Sequence, residues 1–95
     1  MFEKYFTNYH HIIKKFRAPH RLVNCIEELA ELQKAITKQL RFYFINNYFS
    51  DDLRIFVIEE IVDVYITIEE TKIIFKITDI EIEEIIKEKM DRGVI

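Results

Sequence analysis

The chain predicts an all-α fold, a four-helix bundle that assembles into an oligomer, on three observations. One Gly and one Pro in 95 residues leave too few turn residues for an all-β chain, which needs them every few positions. Nearly half of the residues, 49%, are apolar, rich in isoleucine, and a disordered chain does not have this composition. Apolar residues also recur at steps of three and four over long stretches, as one face of a helix requires. At this length residues 1–95 make one small domain, and its limited buried surface makes a homodimer or homotetramer the expected state.

The first helix is expected from about Phe2 to Phe16, because Phe2, Phe6, Tyr9 and Ile13 share a face. Arg17-Ala18-Pro19 breaks it, since the residue before a proline disfavours helix. The second helix runs from Pro19 or His20 to Phe44. Proline suits an early helical position. Leu22, Ile26, Leu29, Gln33, Ile36, Leu40 and Tyr43 form a core-facing stripe with one polar member. Ile45 to Asp52 is a loop marked by Asn46-Asn47 and Ser50-Asp51-Asp52, and one of those last three residues caps the next helix.

The third helix spans about Leu53 to Phe75. It is apolar nearly all round, through Ile55, Phe56, Val57, Ile58, Ile61, Val62, Val64, Tyr65, Ile66 and Ile68. Its β-branched residues would also suit a strand, but the run is too long for one and has no turn signal inside it. Such a helix is buried, in the domain or between subunits. After Lys76-Ile77-Thr78-Asp79, the fourth helix continues to about Arg92, with Thr78 and Glu81 as a capping box and Gly93 as its stop.

Several function classes are excluded or disfavoured. A net charge of −3 offers no basic face for a nucleic-acid partner. No uncharged run is long enough to span a membrane, and no basic start leads into an apolar run as in a secretory signal. Cys25 is the single cysteine, which rules out a disulfide framework and fits a reducing, cytoplasmic setting; it reads as a small buried hydrophobe. His10, His11 and His20 have no zinc spacing. The aromatic run from Phe42 to Phe44 with Tyr48-Phe49 reads as packing or a subunit contact before base stacking.

The chemistry sits in two acidic clusters, Glu27-Glu28-Leu29-Ala30-Glu31 and Glu59-Glu60-Ile61-Val62-Asp63. Glu28 with Glu31, and Glu60 with Asp63, are each three apart and so neighbours on one helix face. Acidic helices are ordinarily solvated faces with ion pairs. Here the local partners are wrong for that. Glu27 meets Glu31 and Glu59 meets Asp63 at the repulsive spacing of four, and only Glu31 finds a base, Lys34. The second cluster lies in the most apolar helix, where an unpaired carboxylate costs several kcal/mol. Four carboxylates gathered from two packed helices call for basic partners or a hard cation, Mg²⁺ or Mn²⁺. A di-iron centre is excluded, because no Glu-x-x-His pair occurs.

These residues resemble the MazG-like, all-α nucleoside triphosphate pyrophosphohydrolases. Glu28-x-x-Glu31 is followed after 28 residues by Glu60-x-x-Asp63. The flanks His20-Arg21-Leu22, Ile26 to Leu32 and Glu59 to Val64 agree, and Lys89-Met90-Asp91-Arg92 resembles a late Lys-x-Asn-Arg segment. The likeness covers about His20 to Arg92, with Arg21 where a Gln is common and Asp91 where an Asn is. It implies a MazG-like helical bundle and Mg²⁺-dependent cleavage of a (d)NTP to (d)NMP and pyrophosphate. Glu28, Glu31, Glu60 and Asp63 would hold metal, Glu27 or Glu59 would orient or deprotonate water, and Lys89, Asp91 and Arg92 would meet substrate. Lys89 and Arg92 also have a plain role as cations at a helix C-terminus. The alternative class is a non-catalytic helical binding or regulatory protein that keeps the fold without turnover.

Overall fold

Two long helices joined by a four-residue turn organise the molecule. The computed structural model describes residues 3–93, and among these it contains four α-helices and no strand. They are α1 (Phe6–Phe16), α2 (Ala18–Asn46), α3 (Asp51–Ile74) and α4 (Asp79–Asp91). A short 3₁₀ turn, Glu3–Tyr5, precedes α1, and Phe2, the expected start of the first helix, lies outside the described residues.

Each boundary has a local cause. Arg17, at φ 64°, separates α1 from α2, and Pro19 falls in the first turn of α2, where its missing N–H is no loss. The second helix runs two residues past Phe44, to Asn46. Asn47 ends it in the left-handed conformation, φ 65°, and donates its N–H to the Tyr43 carbonyl at 2.7 Å. Ser50 is the N-cap of α3: its hydroxyl accepts from the Leu53 N–H at 3.1 Å, and Asp51 and Asp52 complement the positive helix end. The expected capping box opens α4. Glu81 N–H donates to the Thr78 hydroxyl at 3.2 Å, and Thr78 N–H donates to the Glu81 carboxylate at 3.0 Å. Gly93, at φ 66°, closes it with a 3.0 Å bond to the Met90 carbonyl.

Helices α2 and α3 pack antiparallel along a seam with steps of three and four. On α2 the inward positions are Arg21, Cys25, Glu28, Leu32, Ala35, Gln39 and Phe42; on α3 they include Leu53, Val57, Glu60, Val64, Thr67, Glu70 and Thr71. Gln39 fastens the turn end by donating to the Ser50 carbonyl and accepting from its N–H, both at 2.8 Å. Tyr43 stacks on Phe49 at 4.7 Å and Phe42 meets Tyr48 edge-on at 5.3 Å, so the aromatic run clasps this turn. At the far end Arg21 binds Glu70. The α1 helix lies across that end and buries Tyr9.

The expected core stripe of α2 is not the one the hairpin uses. Ile26, Leu29, Ile36, Leu40 and Tyr43 are all exposed, Ile26 at 67%. The inward seam is rotated by one residue, about 100°. Periodicity finds the most apolar stripe of a helix, and the inward seam of this one carries Arg21, Glu28 and Gln39 instead. The outer faces of α3 are apolar and exposed as well, at Ile55, Phe56, Val62 and Tyr65. Beyond a Lys72–Asp79 ion pair at its first residue, α4 packs against no other helix among the described residues. The radius of gyration is 16.2 Å, against about 12 Å for a compact domain of this length.

Candidate metal centre

The hairpin brings Glu28 from α2 and Glu60 and Asp63 from α3 to one point midway along the seam. One carboxylate oxygen from each lies within 4.8 Å of the others. Glu28 and Glu60 are half-buried, and Asp63 is the exposed member at the mouth. The three positions meet because Glu28 is two turns along α2 from Arg21 and Asp63 is two turns back along α3 from Glu70.

The electrostatics of the cluster are those of excess negative charge. The Glu28 carboxyl is held above the ordinary carboxylate range, first by burial, then by Asp63, Glu60 and Glu31, and by a hydrogen bond with Asp63. Oε2 of Glu60 is buried and has no hydrogen-bond partner among the described residues. An acceptor left bare in this way costs roughly 1–3 kcal/mol. Three converging carboxylates are oxygen donors of the type that could hold a hard divalent cation such as Mg²⁺ or Mn²⁺.

Glu31 stands a turn further along α2. Its side chain is half exposed and faces Lys34 Nζ at 3.6 Å, so it contributes field to Glu28 without joining the three. Glu27 and Glu59 are exposed and lie outside the cluster. Lys89, Asp91 and Arg92 sit at the far end of α4, which does not pack on the hairpin. Asp91 accepts from Lys87 at 2.9 Å, and Arg92 pairs with Glu88 at 3.3 Å. Within one chain they are not brought to the carboxylates.

Sequence reasoning missed Glu70. It is the most buried side chain, 1% exposed, and accepts two hydrogen bonds from Arg21: one from Nε, and one from Nη2 at 2.9 Å. The available signal was its spacing, because Glu70 lies seven residues after Asp63 and so on the same side of α3, although Asp63 itself is exposed. Among the described residues the protein is all-helical and carries a three-carboxylate cluster on its central seam. No protein-family model matches the chain, and no curated protein or solved structure does.

Proposed function

We propose that the chain is a Mg²⁺-dependent nucleoside triphosphate pyrophosphohydrolase of the MazG-like kind, cleaving (d)NTP to (d)NMP and pyrophosphate. The observation that carries this reading is the convergence of Glu28, Glu60 and Asp63 around a buried, partnerless oxygen of Glu60. Mn²⁺ would serve the same donors. A bound divalent ion supplies neutralisation of phosphate oxygens and a more acidic water. Glu28, Glu60 and Asp63 hold the ion, and Glu31 tunes Glu28 from the next turn. Glu27 or Glu59, both open to solvent, accepts the proton of the water that attacks the α-phosphorus. The α–β anhydride breaks, and pyrophosphate leaves with the bridging oxygen.

The working form in this reading is a homodimer or homotetramer. Among the described residues only Tyr9, Ala35 and Val64 are buried apolar residues, so neighbouring copies supply most of the core. A neighbour's α4 also offers the route by which Lys89, Asp91 and Arg92 reach a carboxylate cluster. One observation favours the alternative, a helical binding or regulatory protein without turnover: those three residues lie away from the site of their own chain, two of them in local ion pairs.

Product analysis tests the proposal. The protein is incubated with each common NTP and dNTP, with Mg²⁺ and with EDTA. Monophosphate and pyrophosphate formed only with metal is the expected result. Diphosphate plus phosphate places the cut elsewhere and refutes the α–β cleavage, and no turnover refutes it and favours the alternative.

A further inference from the structure

Resting on the pyrophosphohydrolase reading, we propose that Arg21, held in place by Glu70, is the phosphate-binding cation of the site. The seam between α2 and α3 presents several carboxylates and hydroxyls, and Arg21 is the single cation on it among the described residues. It stands seven residues from Glu28 on α2, just as Glu70 stands seven from Asp63 on α3. That separation is about 10 Å along the helices, a distance that an extended triphosphate with its sugar bridges. The Arg21 pKa is raised, first by its hydrogen bonds to Glu70 and in smaller part by the Glu28 charge.

The side chain is also presented for binding. Glu70 takes Nε and Nη2 of Arg21 in a two-point pair, and the guanidinium carbon lies 5.9 Å from the centre of the Phe16 ring. These contacts fix the plane of the group. Nη1 has no protein partner among the described residues, and the Arg21 side chain keeps 18% of its exposure. An arginine fixed through Nε and Nη2, with Nη1 unpaired among the described residues, suits planar recognition of a phosphate oxygen. A three-carboxylate site also needs a cation if it is to hold a polyanion, and Lys89 and Arg92 do not supply it within the chain.

The test uses inorganic pyrophosphate with Mg²⁺ as probe, with Mn²⁺ binding alone as the control for the carboxylates. Titration calorimetry is run on the wild type, Arg21→Lys and Glu70→Gln, with circular dichroism to confirm helix content. Arg21→Lys keeps the charge but loses the fork, and should weaken pyrophosphate binding about tenfold while leaving Mn²⁺ binding unchanged. Glu70→Gln keeps an oxygen for Nε and removes the competing charge, and should tighten it. A pair that only joins two helices predicts lower melting temperatures for both variants and pyrophosphate affinities within twofold of wild type, which overturns the proposal. If Arg21→Lys does not fold, Glu70→Gln decides, and unchanged or weaker binding overturns it. Wild type that binds Mn²⁺ but not pyrophosphate overturns this inference and leaves the cation site standing. Wild type that binds neither overturns the functional reading as well.

Discussion

Glu28 and Asp63 face each other across the α2–α3 seam with carboxylate oxygens no more than 4.8 Å apart, and burial, followed by the Asp63 charge, raises the pKa at which Glu28 gives up its proton. This relationship makes the hairpin sensitive to pH. The folded-state pKa of Glu28 is raised, so the unfolded chain gives up that proton at lower pH than the folded one. The contribution is therefore fully present below the unfolded carboxylate pKa, about 4.3, and is lost as pH rises through the higher folded value. Asp79 and Glu81, whose pKa values are lowered, by Lys72 and by Thr78 respectively, run the other way. The contribution of Glu28 is isolated by comparing wild type with Glu28→Gln in EDTA. The wild-type melting temperature should fall relative to the variant as pH rises above the carboxylate range. A parallel pair of pH curves would contradict the assignment.

Metal should compete with that proton. Divalent ions bind deprotonated carboxylates, so binding releases the proton and strengthens with pH. Mg²⁺ should raise the wild-type melting temperature more at pH 8 than at pH 5. Equal shifts at both would indicate nonspecific binding to the acidic surface.

Glu60→Gln should separate the stability role of the cluster from its binding role. Replacing a carboxylate with a bare, buried oxygen by an amide removes charge repulsion and provides a donor for Glu28 or Asp63. The metal-free variant should gain about 1 kcal/mol, which for a domain of this size is roughly 4–8 °C in melting temperature. The Mg²⁺-dependent rise should disappear with any turnover. A variant that melts below wild type in EDTA and still responds to Mg²⁺ would remove Glu60 from the site.

The helices were legible because their signals are local. Ser50 and Thr78 announce helix starts by hydroxyl capping, Pro19 and Gly93 mark a start and a stop, and three-four spacing spans the rest. The meeting of Glu28 with Glu60 and Asp63 followed from spacing and from the cost of burying acids in an apolar helix. The choice of inward face did not. On α2 the polar seam faces in and the apolar stripe through Ile36 faces out, because packing among several helices, not the periodicity of one, decides which face turns where. The Arg21–Glu70 pair escaped because its partners lie 49 residues apart and no local rule connects them.

Gln39 offers a stability control that should leave the site alone. It makes two 2.8 Å hydrogen bonds to the backbone of Ser50, the residue that caps α3. Gln39→Ala leaves both backbone groups unpaired and should cost about 1–3 kcal/mol. Gln39 lies eleven residues from Glu28, on the order of 16 Å along α2. Thermal melting with and without Mg²⁺ should therefore show a lower baseline and an unchanged metal-induced rise. A diminished rise would mean that the turn and the cluster are coupled.

Self-association should be visible in solution and should depend on the outward stripe of α2. The chain exposes 7868 Å², against about 5,800 Å² for a compact monomer of its mass. The excess, about 2,000 Å² per chain, exceeds what one partner contributes to a standard interface, about 800 Å², and suits an obligate apolar contact. Ile36 lies in the middle of that stripe, exposed at 44%, and eight residues beyond Glu28, about 12 Å along α2. Ile36→Glu places a charge in the expected contact, where an unpaired carboxylate costs several kcal/mol. Wild-type protein should sediment at a multiple of 11.6 kDa, and Ile36→Glu should sediment as a monomer with reduced helix content, because the lone chain buries too little to hold its fold. A monomeric wild type would refute the interface. An oligomeric Ile36→Glu of unchanged stability would move the interface to the outer face of α3, where Ile55→Glu is the corresponding test.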